Sequence, residues 1–482
     1  MTFSELISIV SGWLWGMPFI LICLATGLYF SWRTHFLQVR YFKQMLQMLF
    51  QGKSSSSGIS SFQAFNLALS GLVGTGNIVG VATAIALGGP GAIFWMWAIA
   101  FLGAGTAYIE SSLAQIYKEK IAGNYRGGPA YYILKGIRNR PFAFVFAFVT
   151  IVSLGLLIPG VQSSAISNAF NTSFGIDLRI TAGVVVLLLA LVIFGGVRRI
   201  ARVAEIVTPL MAIGYIIVVV IILILHYEQI PGTFLLIFKS AFGLEQTFGG
   251  MVGAAISMGV KRGIFSNEAG QGTATHAAAA CEAPHPAKQG LLQIFSVYID
   301  TLVVCTATAL VILITGAYQV FDSAQQVVFS GHGMPEAVLD YGPVNTQMAV
   351  DTTLPGFGSG FVAIALFFFA FTTLISYYFQ SETNIYFLVR KKKAIFYAIN
   401  ILRITMLTVT YIAAINPMTL AWNMADIGIG LMAWLNIIAI LLLRKVAFKV
   451  FADFEQQYKS GIKYPVFRAD IVGIENAEVW RQ

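Results

Sequence analysis

The sequence predicts an all-α integral membrane protein with eleven transmembrane helices: one extra helix followed by two five-helix halves of opposite orientation. Three observations lead there. The chain has 482 residues, 57% hydrophobic and 11% charged, with a mean hydropathy of +0.77, a balance outside the range of soluble domains. Lysine and arginine gather in alternate connections between the apolar stretches. Two of those stretches are interrupted by glycine and polar residues at matching places in the two halves.

Crossing the hydrocarbon core takes about 20 residues of helix. Apolar stretches of that order run at 13–32, 62–88, 91–117, 142–167, 179–196, 204–226, 247–275, 290–317, 357–389, 394–414 and 418–443. One set of connections holds Arg33, Arg40, Lys43 and Lys53, then the basic residues from Lys118 to Arg140, then Arg198, Arg199 and Arg202, then Lys288, then Arg390 to Lys393, and finally the tail from Arg444 to Arg481. The opposite set holds only Arg179 and Lys239, and its longest loop, 318–356, carries Asp322, Glu336, Asp340 and Asp351 without any Lys or Arg. The count is 25 against 2, which sets the N-terminus outside and the C-terminus in the cytoplasm. The N-terminus has no basic leader followed by a small-residue cleavage site, so the first stretch reads as a retained span.

The interruptions are Gly71–Gly80, reading GLVGTGNIVG, and Gly259–Gly272, reading GVKRGIFSNEAGQG. An unpaired backbone amide in hydrocarbon costs several kcal/mol, so a span unwinds only where protein or a polar cavity takes over its hydrogen bonds. Set the first helix aside, and the broken spans become the first and sixth of ten. Each opens a half with an odd number of helices, so the second half is inverted relative to the first. The implied units are the extra helix and its connection at 1–61, the repeats at 62–226 and 227–443, and a cytoplasmic tail at 444–482. A LeuT-type fold follows by analogy, and paired breaks at mid-membrane mark the site of a secondary transporter.

Other classes find little support. The net charge of +9 is accounted for by basic residues on one membrane face, so nucleic acid is not implied as a partner. Cys23, Cys281 and Cys305 are scattered and suit neither a disulfide framework nor a thiolate metal site. Gly52-Lys53-Ser54 resembles the end of a phosphate loop, but the glycine needed five residues earlier is Gln47, so ATP is not expected. The five histidines lack metal-ligand spacing; His276 and His285 fall in a cytoplasmic connection and are expected to face solvent. No nucleophile and base are arranged as in an enzyme, and no cofactor is expected. A cation channel is the alternative of another class, since broken helices and oxygen ligands also build selectivity filters.

Several motifs resemble the alanine/glycine:cation symporter family: Gly74–Val81 (GTGNIVGV), Gly88–Trp97 (GGPGAIFWMW), Glu110–Tyr117 (ESSLAQIY), Arg126–Tyr132 (RGGPAYY) and Gly259–Gly270 (GVKRGIFSNEAG). The similarity continues through His285–Gly290 and Asp300–Thr306 and covers nearly the whole chain. It implies a bacterial or archaeal plasma-membrane carrier that couples uptake of a small neutral amino acid to sodium, or to protons on the same fold.

For such a substrate, the amides of Thr75 and Gly76 are expected to meet the carboxylate where the first core helix unwinds, with the side-chain amide of Asn77 beside them. The glycines there equally permit close helix packing. The resemblance assigns Gln162 to the ammonium or to a helix contact, while depth brings Ser257 and Gly259 to the pocket wall or to packing. For sodium, the LeuT-type pattern implies the carbonyls of Ser70 and Val73 with the hydroxyls of Thr372 and Thr373, unless those hydroxyls bond their own helix. Charges within spans need an account. Glu110, Lys261, Arg262 and Glu268 fall by depth toward the cytoplasm and are expected to form an inner gate or a permanent ion-pair cluster, as is Glu382. Asp300, near mid-membrane, is expected to bind a cation or proton or to pair with Arg403. Many family members carry Gly-Trp where this chain has Ile375-Ser376. That departure leaves serine and glutamine beside alanine and glycine as candidate substrates.

Overall fold

A computed structural model describes residues 3–50, 55, 57–322, 324–334 and 342–481. Lys53, Glu336, Asp340 and the Gly52–Ser54 stretch lie outside the described residues. The chain is 79% helical. Among the described residues, eight helices are long and apolar enough to cross a membrane: Glu5–Arg33, Ala92–Ile116, Arg140–Phe174, Gly196–Leu225, Pro286–Thr315, Gly358–Leu388, Lys392–Ala414 and Met418–Lys459. A ninth is the pair Ser61–Leu72 and Gly76–Gly88, bent by 48°. The stretches at 179–196 and 247–275 fall to shorter helices of 16 residues each, Leu178–Ile193 and Val252–Asn267.

The first interruption breaks its helix as expected. Ser60 and Gln63 start Ser61–Leu72 with a reciprocal capping box, each side chain satisfying the other's backbone amide at 3.1 Å. At Val73 the backbone becomes extended (φ −76°, ψ 93°), and the chain re-enters through a wide π-helical turn at Gly76–Gly80. A β-carbon on Gly74 would stand 2.4 Å from Thr373 Oγ1, so glycine is required by close approach to Gly358–Leu388.

The second interruption breaks later than its first glycines suggest. Val252–Asn267 is continuous through Gly259, Lys261 and Arg262; it unwinds at Glu268–Ala274 and resumes as Thr275–Ala280. Gly259 and Gly263 serve close packing, their α-carbons facing Ala92, Trp95 and Ile99 of the neighbouring helix. Positive φ occurs only past the helix end, at Glu268 (54°), Gly270 (88°) and Gly272 (82°). The two broken helices run antiparallel: Val252–Asn267 packs along Gly76–Gly88, and Thr275–Ala280 along Ser61–Leu72.

Two other differences bear on the cytoplasmic side. Met418–Lys459 continues as one helix of 42 residues well past the apolar stretch, because Ala447, Val450, Phe451 and Phe454 keep a buried face after the charges begin. Hydropathy marks where the bilayer ends, not where the helix ends. His276 and His285, expected in solvent, are both buried: His276 meets Asn384 Nδ2 at 2.9 Å, and His285 Nε2 meets Asp453 at 3.0 Å.

Candidate functional site at a broken helix

Unwinding frees the amides of Gly74 and Thr75, and side chains take them up. Gly74 N–H donates to Asn77 Oδ1 at 2.8 Å, and Thr75 N–H donates to Gln162 Oε1 at 3.2 Å. Thr75, Gly76, Asn77 and Gln162 therefore meet at one point, but the Thr75 amide, expected to face a carboxylate, is taken by Gln162 in a helix contact, and the Thr75 hydroxyl is buried there without a protein partner. Gly76 lies against Ser266, whose α-carbon would be 2.9 Å from an added β-carbon. The residues facing the first break are thus Phe265 and Ser266, about two turns beyond the expected Ser257 and Gly259. Ser257 is only half-buried.

The side-chain amide of Asn77 reaches across to Asp300. Its Nδ2 donates to Asp300 Oδ1 at 2.6 Å, while Ser266 Oγ and Thr301 Oγ1 donate to Oδ2 at 2.8 and 2.7 Å. Asp300 stands on a π-helical segment, Tyr298–Cys305, a distortion that frequently accompanies functional sites. The carboxylate is fully buried and receives only neutral donors. Arg403 does not reach it: that guanidinium donates to Tyr378 Oη at 2.9 Å and to the carbonyl of Ile193 at 3.2 Å.

A cluster of oxygens lies on the other side of the break. Thr373 Oγ1 is 3.1 Å from the Ser70 carbonyl, 3.4 Å from that of Val73 and 3.0 Å from that of Phe369 in its own helix. Thr372 does not join it. Its hydroxyl donates to the Phe368 and Phe369 carbonyls, both at 3.0 Å, and faces Met211. Three of the four expected oxygens therefore converge, while the Phe369 contact is the bond to its own helix that was the alternative for both hydroxyls. Oxygen ligands without nitrogen or sulfur suit a hard cation.

The in-span charges form separate groups and not one inner network. Lys261 Nζ and Arg262 Nη2 both bind Asp426 Oδ2, at 2.6 and 2.9 Å, and the Arg262 guanidinium lies 4.4 Å above the Trp422 ring. Asp426 is the ninth residue of Met418–Lys459, and its carbonyl accepts from Trp15 Nε1 at 2.8 Å. Lys261 and Arg262 are thus paired with Asp426 and stand apart from Glu110, Glu268 and Glu382. Glu110, near the end of Ala92–Ile116, accepts from Asn436 Nδ2 at 2.7 Å and from the Gly270 amide at 3.3 Å. Glu268 sits in the second break beside Thr273 and Tyr377, and Glu382 lies 3.9 Å from Arg126. Sequence reasoning missed Asp426 and Asn436. For Asp426 the signal was available, an acidic residue inside a marked span; for Asn436 there was none.

A broken helix carrying GTGN lies beside a buried carboxylate, and the family model described as "sodium:alanine symporter family" matches residues 1–469. The chain belongs to the sodium:alanine symporter family. Within that family it is 52% identical over 479 residues to YrbD of Bacillus subtilis (strain 168), covering 99% of this chain and 98% of that one. It is 48% identical over 440 residues to the sodium/proton-dependent alanine carrier protein of Bacillus sp. (strain PS3), covering 90% and 97%. In fold it is similar to a Na+-coupled sialic acid symporter, with a TM-score of 0.50 at 14% identity over 98% of this chain and 96% of that one. This member of the sodium:alanine symporter family is accordingly a multi-pass membrane transporter and not an enzyme.

Proposed function

We propose that the protein carries a small neutral amino acid, alanine first, into the cell together with sodium by alternating access. The observation that carries this reading is the junction at Gly74–Asn77. The Thr75 hydroxyl, buried there without a protein partner, is left to meet a carboxylate, and the oxygen cluster of Thr373, Ser70 and Val73 adjoins it on the same backbone turn. An ion and a substrate held by one unwound turn stabilise the same conformation, which is the condition for coupling. Alanine is carried over from the PS3 relative's name at 48% identity; serine and glutamine remain test substrates.

In this reading the bent pair and the two 16-residue helices join the eight long ones to make eleven crossings. They form inverted repeats at 62–226 and 227–443 after the extra helix, with the N-terminus outside a bacterial or archaeal plasma membrane. Lys261, Arg262 and Asp426 then close the outer side, while Glu110, Glu268 and the Arg126–Glu382 pair close the inner side. The buried Asp300 favours a second coupling ion, a proton or a further sodium, because a carboxylate met only by neutral donors is stabilised by either.

The test is uptake of labelled alanine, glycine, serine and glutamine by the purified protein in liposomes under imposed sodium or proton gradients. Sodium-driven alanine accumulation is expected, and Asn77→Ala should weaken substrate binding by about tenfold or more, the worth of one hydrogen bond to a charged group. Uptake indifferent to sodium would refute the coupling, and conductance without an amino acid would indicate a channel.

A further inference from the structure

Helix Gly358–Leu388 carries a row of buried polar side chains that neither the substrate junction nor the Thr373 cluster uses. Ser376, Gln380, Thr383 and Asn384 follow Thr373 at spacings of three and four, so all share one face of the helix. Each is at most 2% exposed. The row is linked end to end. Ser376 Oγ donates to the Leu67 carbonyl at 3.2 Å, Gln380 Nε2 donates to Ser376 Oγ at 3.1 Å, and Asn384 Nδ2 donates to the Gln380 carbonyl at 2.9 Å.

The pattern of satisfaction is one-sided. The amide donors are used, whereas the acceptors Gln380 Oε1 and Asn384 Oδ1 have no protein partner, and neither do Ser381 Oγ and Glu382 Oε2 beside them. Gln38, Gln115, Gln289 and Gln347 show the same one-sided use singly, and what sets this row apart is that its unmet oxygens follow one another along the helix from the Thr373 cluster. A row of free oxygens is what a dehydrated cation requires along its way. From Thr373 to Asn384 the row spans about 16 Å at the rise of an α-helix. At its far end Thr383 Oγ1 accepts from Arg126 Nη1 at 3.3 Å, and Arg126 lines a 410 Å³ cavity with Glu382, Tyr386 and the turn at Gly195–Arg198. Arg126 and Glu382 flank that exit, 3.9 Å apart, with the guanidinium 3.7 Å from the Tyr386 ring centroid.

We infer that the row Ser376–Gln380–Asn384 is the route by which the cation held at Thr373 leaves for the cytoplasm, and that Glu382 draws it into the cavity. The inference rests on the proposed cation cluster at Thr373. Gln380 and Asn384 act on the departing ion and not on the site itself, so their loss should slow release without altering binding.

The experiment compares the wild type with Gln380→Leu, Asn384→Leu and Gln380→Glu in proteoliposomes. With the leucine variants, net sodium-driven alanine uptake should fall at least about tenfold, the effect of one lost oxygen contact to an ion on a rate. Alanine-for-alanine exchange with saturating sodium on both faces should stay at the wild-type rate, because exchange does not need the cation to leave. Sodium-dependent alanine binding in detergent should also be unchanged. Gln380→Glu keeps the oxygen and should retain net uptake, whereas a helix-tying role predicts that the buried charge harms folding more than leucine does. Exchange and net uptake falling together, or Gln380→Glu behaving worse than Gln380→Leu, would overturn the route. Wild-type binding that ignores sodium would instead remove the Thr373 cation site, and the route's cargo with it.

Discussion

Thr372 and Thr373 are chain neighbours with identical side chains, yet a 100° step around the helix gives them different surroundings. Thr373 faces the extended carbonyls of Ser70 and Val73, while Thr372 turns to its own helix and Met211. On that difference Thr373→Ala should raise the sodium concentration for half-maximal alanine binding about tenfold or more, since a charged group loses an oxygen contact. Thr372→Ala should leave it close to the wild-type value. Sodium titrations of labelled alanine binding check both, and equal shifts would show that the helix face does not decide the ligand set.

Among the elements, the extra helix and Met418–Lys459 act as a pair. Trp15 Nε1 donates to the Asp426 carbonyl, Trp434 Nε1 donates to the Leu14 carbonyl at 3.1 Å, and Phe19 stacks on Trp434. The first helix thereby fixes the backbone from which Asp426 reaches Lys261 and Arg262. Two cations there share one carboxylate oxygen, so removing them is not equivalent to removing it. Asp426→Asn leaves two buried cations unpaired and should destabilise the protein by about 3–5 kcal/mol. Lys261→Met leaves one matched pair with Arg262 and should be close to neutral. Thermal unfolding in detergent measures the contrast, which reverses if Lys261 is the principal partner.

At the scale of the whole molecule, the tail is part of the packed structure. Phe467 N–H donates to the Pro284 carbonyl at 3.0 Å, Trp480 Nε1 donates to the Gln115 carbonyl at 2.8 Å, and Asn476 Nδ2 reaches the Lys135 carbonyl at 3.0 Å. His285 lies under this cover, with its ring against Phe454 and Phe467. Burial holds its imidazole below the ordinary value of 6.5, against the opposing pull of Asp453. The unfolded chain therefore takes up the proton more readily than the folded one. The resulting stability is present above pH 6.5 and is lost as pH falls below it. The thermal midpoint should decline on acidification through that range, and His285→Asn should flatten the decline.

Composition and charge placement determined from sequence alone that this is a multi-pass membrane protein, because the bilayer constrains apolar length and basic residues directly. The helix break at Gly74–Asn77 was legible for the same reason: clustered glycines and an asparagine inside a span are costly in hydrocarbon unless the helix gives way there to a polar site. The motifs carried the family. The position of the second break was not legible, since Gly259 and Gly263 look like breakers but face a neighbouring helix closely, and in that stretch only Glu268, Gly270 and Gly272 adopt positive φ. Nor was the choice between Thr372 and Thr373, or the pairing of Lys261 and Arg262 with Asp426 instead of the inner acids. Each of these depends on which helix stands across from which. That is decided by long-range packing between segments more than a hundred residues apart, and no local pattern in the chain contains it.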